Sequence, residues 1–251
     1  MNTKILNANA LKLIAIIAMT LDHLAWALWP EDSLNGIALV MHMLGRLTMP
    51  IMCFLIAEGY QHTRDWRKYL ARLFGFAVFA HFAFVFAFYY RDPLSFLPFA
   101  HGEWQAQTSV LWGLAWGLIL VRVFDTSWKL PWKLLMMVVI LFITLPADWM
   151  CITPLLILVF WLNRGHFVRQ MLCGGGVMLV YTVVELMIFR SYYHMINIMF
   201  ALCVLVLWQY NGQRGQSPRV NQWLKWCFYI YYPLHLFIIG LLAYMGVFPI
   251  N

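Results

Sequence analysis

Residues 10–29 read ALKLIAIIAMTLDHLAWALW. Twenty residues at about 1.5 Å each give a helix about 30 Å long, the thickness of a bilayer's hydrocarbon core. Apart from Lys12 near its start, the polar members of this run are Thr20 and the adjacent pair Asp22-His23. Those ionisable groups, and the lack of a small-residue cleavage site, make it a retained helix and not a removable signal. Comparable apolar runs follow at 37–60, 69–90, 108–124, 132–147, 150–163, 170–189, 193–210 and 226–248. None alternates with period two, and without a closed barrel only helices satisfy the backbone inside lipid. The expected fold is therefore all-α: a polytopic membrane helix bundle of about nine transmembrane helices, forming a single integral membrane domain over 1–251. The fifth and sixth runs are short and meet at Pro146-Ala147-Asp148, which also suits a re-entrant pair.

Composition agrees. The chain is 63% hydrophobic and only 11% charged, with a mean hydropathy of +0.73. A globular domain has roughly a quarter of its residues charged, so a water-facing surface is excluded, as are a disordered chain and a collagen. The net charge of +7 does not point to nucleic acid, because the basic residues lie between the apolar runs and not on one patch. With the N-terminus in the cytoplasm, fourteen of the 17 Lys and Arg residues fall in inner segments. Only Arg91 and Arg190 fall outside, and Arg46 lies within a span. The positive-inside rule then gives a cytoplasmic N-terminus and a C-terminus on the outer side. Outer segments hold Glu31, Asp32, Asp92, Glu103 and Asp148, and Trp26, Trp29, Tyr89 and Tyr90 gather near span ends. The five cysteines show no C-x-x-C spacing and read as packing residues. No ligand spacing for a metal occurs.

Ionisable groups at membrane depth are costly and point to function. Counting from the span ends brings Asp22, His23, Arg46, His81 and His235 to one level, about 14–20 Å into the membrane. Neighbours on a helix point about 100° apart, so Asp22 and His23 do not form a dyad. Asp22 is expected to pair with a cation on another helix, with Arg46 at matching depth. That leaves His23 to face a cavity as a general base. His81 suits either a helix–helix contact or the site. Glu185 and Glu58 lie nearer span ends. The inner segment from Gly59 to Arg72 holds Arg64, Arg67, Lys68 and Arg72. It serves either as a topology signal alone or as an anion site for a cofactor's phosphates.

Several stretches resemble the TraX family. These are Lys12-Leu13-Ile14-Ala15 followed by Met19 and Asp22-His23, then Leu44-Gly45-Arg46-Leu47-Thr48-Met49-Pro50-Ile51, and Glu58-Gly59-Tyr60 with His62-Thr63. Tyr69 with Arg72-Leu73, Ala147-Asp148-Trp149 and Tyr232-Pro233-Leu234-His235 continue the likeness over nearly the whole chain. The resemblance implies a transmembrane acyltransferase. The family is named for a protein that N-acetylates pilin, within a wider group that takes acyl groups from cytosolic coenzyme A thioesters. It implies acetyl-CoA as donor and a periplasmic acceptor, a protein N-terminus, glycan or lipid, in contact with membrane lipids. By resemblance His23 is catalytic, with Asp22 and Arg46 beside it. Lys12, Arg64, Arg67, Lys68 and Arg72 would meet the donor's phosphates, and His81, Asp148 and His235 would bind or support substrate. Lys12 stands where the wider group carries an arginine, and Trp149-Met150 depart from the Tyr and Gly expected after Asp148. A secondary transporter and a non-catalytic scaffold are the other classes that buried Asp, His and Arg residues allow.

Overall fold

The computed structural model describes residues 4–29, 35–89, 96–97 and 106–248. Glu31, Asp32, Tyr90, Arg91, Asp92 and Glu103 lie outside the described residues. In chain order the helices are α1 (Ala8–Leu28), α2 (Gly36–Gly45), α3 (Thr48–His62), α4 (Trp66–Phe88), α5 (Val110–Phe124), α6 (Leu130–Thr144), α7 (Ile152–Leu162) and α8 (Phe167–Phe189). A 3₁₀ segment, Tyr192–Met199, then leads into α9 (Phe200–Trp208) and α10 (Pro218–Tyr244). The fold is all-α; among the described residues the only bridges are the isolated pairs Leu6 with Tyr210 and Thr108 with Ala147. Among the described residues five helical stretches are long and apolar enough to cross a membrane: α1, Gly36–His62, α4, α8 and α10. Exposed Val168, Leu172, Leu179, Val183 and Met187 on α8 suit contact with lipid.

The chain divides into two compact units, Met1–Met52 with Gly175–Asn251, and Cys53–Gly174. In the first, α1 packs on α2 and on α10. The second apolar run, expected as one helix over 37–60, is broken at Arg46-Leu47. Pro50 explains the break. In a continuous helix its N–H would bond the carbonyl of Arg46, and proline has none. The chain tightens there instead, with Leu47 N bonding the carbonyl of Leu44.

The eighth run is not uniformly α-helical. Eight 3₁₀ residues rise about 2.0 Å each and nine α residues about 1.5 Å. Together Tyr192–Trp208 reach about 30 Å, which seventeen α-helical residues would not. The last helix begins at Pro218, eight residues before the apolar run. Ser217 caps it through Val220 N at 3.4 Å, and Pro218 occupies the first position, where no N–H is needed.

In the second unit α5 packs against α4, α6 and α7. Its face toward α7 carries Gly113 and Gly117. A Cβ at Gly113 would lie 3.1 Å from Thr153, and one at Gly117 would meet Ile157 and stand 3.2 Å from the Cα of Pro154. Small residues four apart let two backbones approach closely. Leu120, Ile140 and Leu158 form the buried cluster beside this contact. The helix α7 has 11 residues, about 16 Å at 1.5 Å each, about half of a ~30 Å core. The turn before it carries left-handed Trp149 (φ 64°) and Met150 (φ 42°).

Candidate active site

The ionisable residues of α1 sit in the first unit among partners from α2 and α10. Asp22 Oδ1 accepts a hydrogen bond from His42 Nδ1 at 2.8 Å. His42 is buried, with its ring against Trp26 (4.8 Å between centroids) and Tyr193 (5.5 Å). The expected partner of Asp22 was Arg46. The structure puts Arg46 within electrostatic range of Asp22, but the guanidinium donates to the hydroxyl of Tyr193, at 3.3 Å from Nη2. His42 precedes Arg46 by four residues, so one face of α2 delivers both to α1. That i, i+4 spacing was the available signal for His42. The close approach depends on Gly45, where a Cβ would stand 2.6 Å from Asp22 Cγ.

His23 points elsewhere, as the angle between helix neighbours requires. Its Nδ1 lies 2.7 Å from Nε2 of His235, and the two rings are nearly parallel, with 12° between planes and 5.0 Å between centroids, so they meet edge to edge. His235 Nδ1 lies 2.9 Å from the backbone carbonyl of Tyr231. A carbonyl only accepts, so His235 Nδ1 carries a proton. For a neutral ring its Nε2 is then the acceptor, and the proton between the rings sits on His23 Nδ1. The lone pair of neutral His23 is thereby assigned to Nε2. The Tyr231 ring lies nearly parallel to that of His235, 5.0 Å away between centroids. Its hydroxyl meets Thr20 Oγ1 at 2.7 Å.

Glu185 and the 3₁₀ segment make a second buried group. Asn197 Nδ2 donates to Glu185 Oε2 at 2.9 Å, and His194 Nδ1 stands 3.3 Å from the same oxygen. In a 3₁₀ turn residues i and i+3 eclipse. His194 and Asn197 are three apart, so this geometry aims both at one carboxylate. Glu185 also lies within electrostatic range of Arg46.

The remaining candidates belong to other surroundings. Lys12 is half-buried near the start of α1. In the second unit His81 is buried on α4, with the backbone of Phe96 beside its ring. Asp148 lies in the turn before α7, its N–H bonded to the carbonyl of Thr108 at 2.8 Å. Arg64, Arg67 and Lys68 are exposed. Lys68 pairs with Asp65 at 3.5 Å. Arg67 and Arg72 lie over the rings of Trp66 and Tyr69. Asp65 caps α4 through Lys68 N, and that bond holds its carboxyl below the usual range.

A helical polytopic chain that buries a tautomerically ordered histidine pair beside a carboxylate, a third histidine and an arginine is a membrane protein with a built polar site. The chain belongs to the TraX family, whose description, TraX protein, matches residues 7–243. It is 30% identical over 243 residues to the probable fimbrial assembly protein FimC, serogroup H1, of Dichelobacter nodosus, covering 92% of this chain and 93% of that protein. It also shares 36% identity over 52 residues with the uncharacterized protein RP591 of Rickettsia prowazekii (strain Madrid E), 21% of this chain and 18% of that one. No solved structure matches.

Proposed function

We propose that this protein is a membrane-embedded acyltransferase. It moves an acetyl group from cytosolic acetyl-CoA to an amine or hydroxyl acceptor at the periplasmic side, a protein N-terminus such as pilin's or an envelope glycan or lipid. The membrane is the bacterial inner membrane, with the N-terminus cytoplasmic. The observation that carries the reading is the ordered pair His23–His235, in a chain of the TraX family.

In this mechanism the acceptor's nitrogen or oxygen gives its proton to His23 Nε2 as it attacks the thioester carbonyl. The new acyl bond forms, the carbon–sulfur bond breaks, and the coenzyme A thiolate leaves and takes up the proton from His23. His235 accepts from His23 Nδ1 throughout, so the imidazolium formed in the middle of the reaction keeps its hydrogen bond. Asp22, His42 and Arg46 set the charge on the adjoining face. Arg64, Arg67, Lys68, Arg72 and Lys12 are the cations available to the donor's phosphates at the cytoplasmic ends of the helices. His81 and Asp148 serve the acceptor or support it. The name of the Dichelobacter nodosus relative, a probable fimbrial assembly protein, supports a pilin-type acceptor.

The test is turnover of [¹⁴C]acetyl-CoA by protein in detergent, with and without envelope extract, beside His23→Ala. Acceptor-dependent thiol release that disappears in the variant is expected. No release from folded protein would overturn the reading. It would favour the second one, a secondary transporter, which the broken helix at Arg46 suits because transporters bind substrate at discontinuous helices.

A further inference from the structure

The 3₁₀ segment Tyr192–Met199 packs on α2 and joins the two buried polar groups of the first unit. The hydroxyl of Tyr193 accepts from the Arg46 guanidinium, and its ring lies against His42, the donor to Asp22. The next residue, His194, reaches Glu185. Arg46 lies within electrostatic range of Asp22 and Glu185 alike. One guanidinium therefore serves two carboxylates, and with neutral imidazoles the group has a negative charge in excess.

The other cations of the unit stand elsewhere. The first and last long helices run parallel: Asn9 bonds Asn221, Thr20 meets Tyr231 and His23 meets His235, at separations of 212, 211 and 212. Lys12 and Lys225 therefore share a level, ten residues before Asp22 and His235 respectively, or about 15 Å. Lys4, Arg214 and Arg219 precede them in the chain, and Arg190 is exposed beyond the end of α8. An excess charge inside a membrane protein is costly, and a cation entering this site relieves it.

Glu185 is placed to meet one. Asn197 and His194 both engage its Oε2. A carboxylate accepts at two oxygens, so Oε1 keeps capacity for a donor. The residue lies four positions before the end of α8, about 6 Å, at the end that the proposed topology turns to the periplasm. The last carbonyls of a helix add partial negative charge there.

The reaction supplies the reason for a second base. An amine acceptor is an ammonium near neutral pH. Its acylation by acetyl-CoA gives the amide, the coenzyme A thiol and one free proton. His23 carries one proton from nitrogen to the thiolate sulfur. The other must leave first, since an ammonium has no lone pair with which to attack. A hydroxyl acceptor has no such surplus proton.

We propose that Glu185, its carboxylate held by His194 and Asn197, forms an ammonium-binding subsite that receives the acceptor's first proton. It rests on the reading of the protein as an acyltransferase, and within that reading it selects a protonated amine over a hydroxyl as acceptor. One N–H bond of the ammonium breaks and its electron pair stays on nitrogen. The proton passes to the Glu185–His194 pair and from there to the outer water. The neutral amine then attacks the thioester carbonyl, and His23 takes the second proton.

The experiment uses the full chain in phosphatidylcholine nanodiscs and two probes titrated by calorimetry without donor. These are L-leucyl-glycine amide and its α-hydroxy analogue, which differ as ammonium against hydroxyl. The parent is expected to bind the amine probe about tenfold more tightly, one charge-assisted contact's worth. Glu185→Gln is expected to bring the amine probe down to the level of the hydroxy probe, whose unchanged binding reports a folded variant. Glu185→Asp, which keeps the charge, is expected to retain part of the preference. A readout that needs no variant is pH: affinity for the amine probe is expected to fall as pH rises through about 8, the α-amino range, and that for the hydroxy probe to stay level. Equal binding of the two probes by the parent, which a site neutralised by its own protonated His194 would give, overturns the subsite. So does equal loss of both probes in folded Glu185→Gln, or no binding of either by the parent. Turnover of [¹⁴C]acetyl-CoA with the amine probe separates the two ideas. Transfer with an unaltered KM for that probe in Glu185→Gln removes the subsite and keeps the acyltransferase. Binding of the amine probe that depends on Glu185, without any transfer, does the reverse.

Discussion

Asp22 and His42 are joined by a 2.8 Å hydrogen bond between consecutive helices, and this contact fixes α2 against α1 at the level of the histidine pair. A carboxylate accepts there a hydrogen bond from a fully buried ring. His42→Ala would take a donor from the carboxylate of Asp22, at a cost of about 1–3 kcal/mol for a lost hydrogen bond to a buried group. His42→Asn keeps a donor of similar reach. Thermal unfolding in detergent should therefore show a large loss for the alanine variant and a clearly smaller one for asparagine. Equal losses would mean that the hydrogen bond contributes nothing beyond volume.

Gly45 admits that contact. A methyl group would collide with the Asp22 side chain, whose Cγ and Oδ1 stand 2.6 and 2.7 Å from the Cβ position. Gly45→Ala should lower the melting temperature and reduce acyl transfer. Gly75→Ala, in α4 with nothing within 4 Å of its Cβ position, should do neither, because alanine fits a helix interior better than glycine. A neutral Gly45→Ala would mean that α1 and α2 yield easily.

His235 is a positioning residue for His23. Removing its acceptor frees the imidazole to change tautomer, so His235→Ala should lower kcat by about 10²-fold, at the lower end of what a positioned base contributes. KM for acetyl-CoA should change little. His235→Gln offers a carbonyl oxygen to His23 Nδ1 and should recover much of the rate. Failure of glutamine to rescue, in a folded variant, would argue against the tautomer assignment.

Glu185 holds the 3₁₀ segment through His194 and Asn197. Glu185→Ala leaves the buried amide of Asn197 without its acceptor, at a cost of about 1–3 kcal/mol. Glu185→Gln retains an oxygen in the same place and should cost less. Unfolding temperatures of the two variants give the comparison, and hydrogen exchange over Tyr192–Met199 should rise more for alanine.

The apolar runs read from the sequence correspond to helices, because twenty apolar residues in a row have few other uses. Asp22, His23, Arg46 and His235 were legible because charge is conspicuous within such runs, and all four lie in one unit. The pairing among them was not legible. His42 hides in an apolar stretch, and its value appears only once α2 is turned toward α1. The register of α1 on α10 joins residues 212 apart, and no local pattern encodes it. The break at Arg46 was readable in retrospect from Pro50. The start of α10 was not, since hydropathy marks where lipid would begin and Ser217-Pro218 mark where the helix begins.

The parallel seam between α1 and α10 also has a consequence for how the protein is made. His23 emerges early in synthesis, and the ring that orders it emerges more than two hundred residues later. Chains are made from the N-terminus, and contacts of such long separation form late. The imidazole of His23 therefore acquires its fixed tautomer only when α10 is in place. A nascent chain that stops short of α10 holds Asp22, His42 and Arg46 and still lacks the ring that orders His23, which makes synthesis of α10 the step that sets the pair.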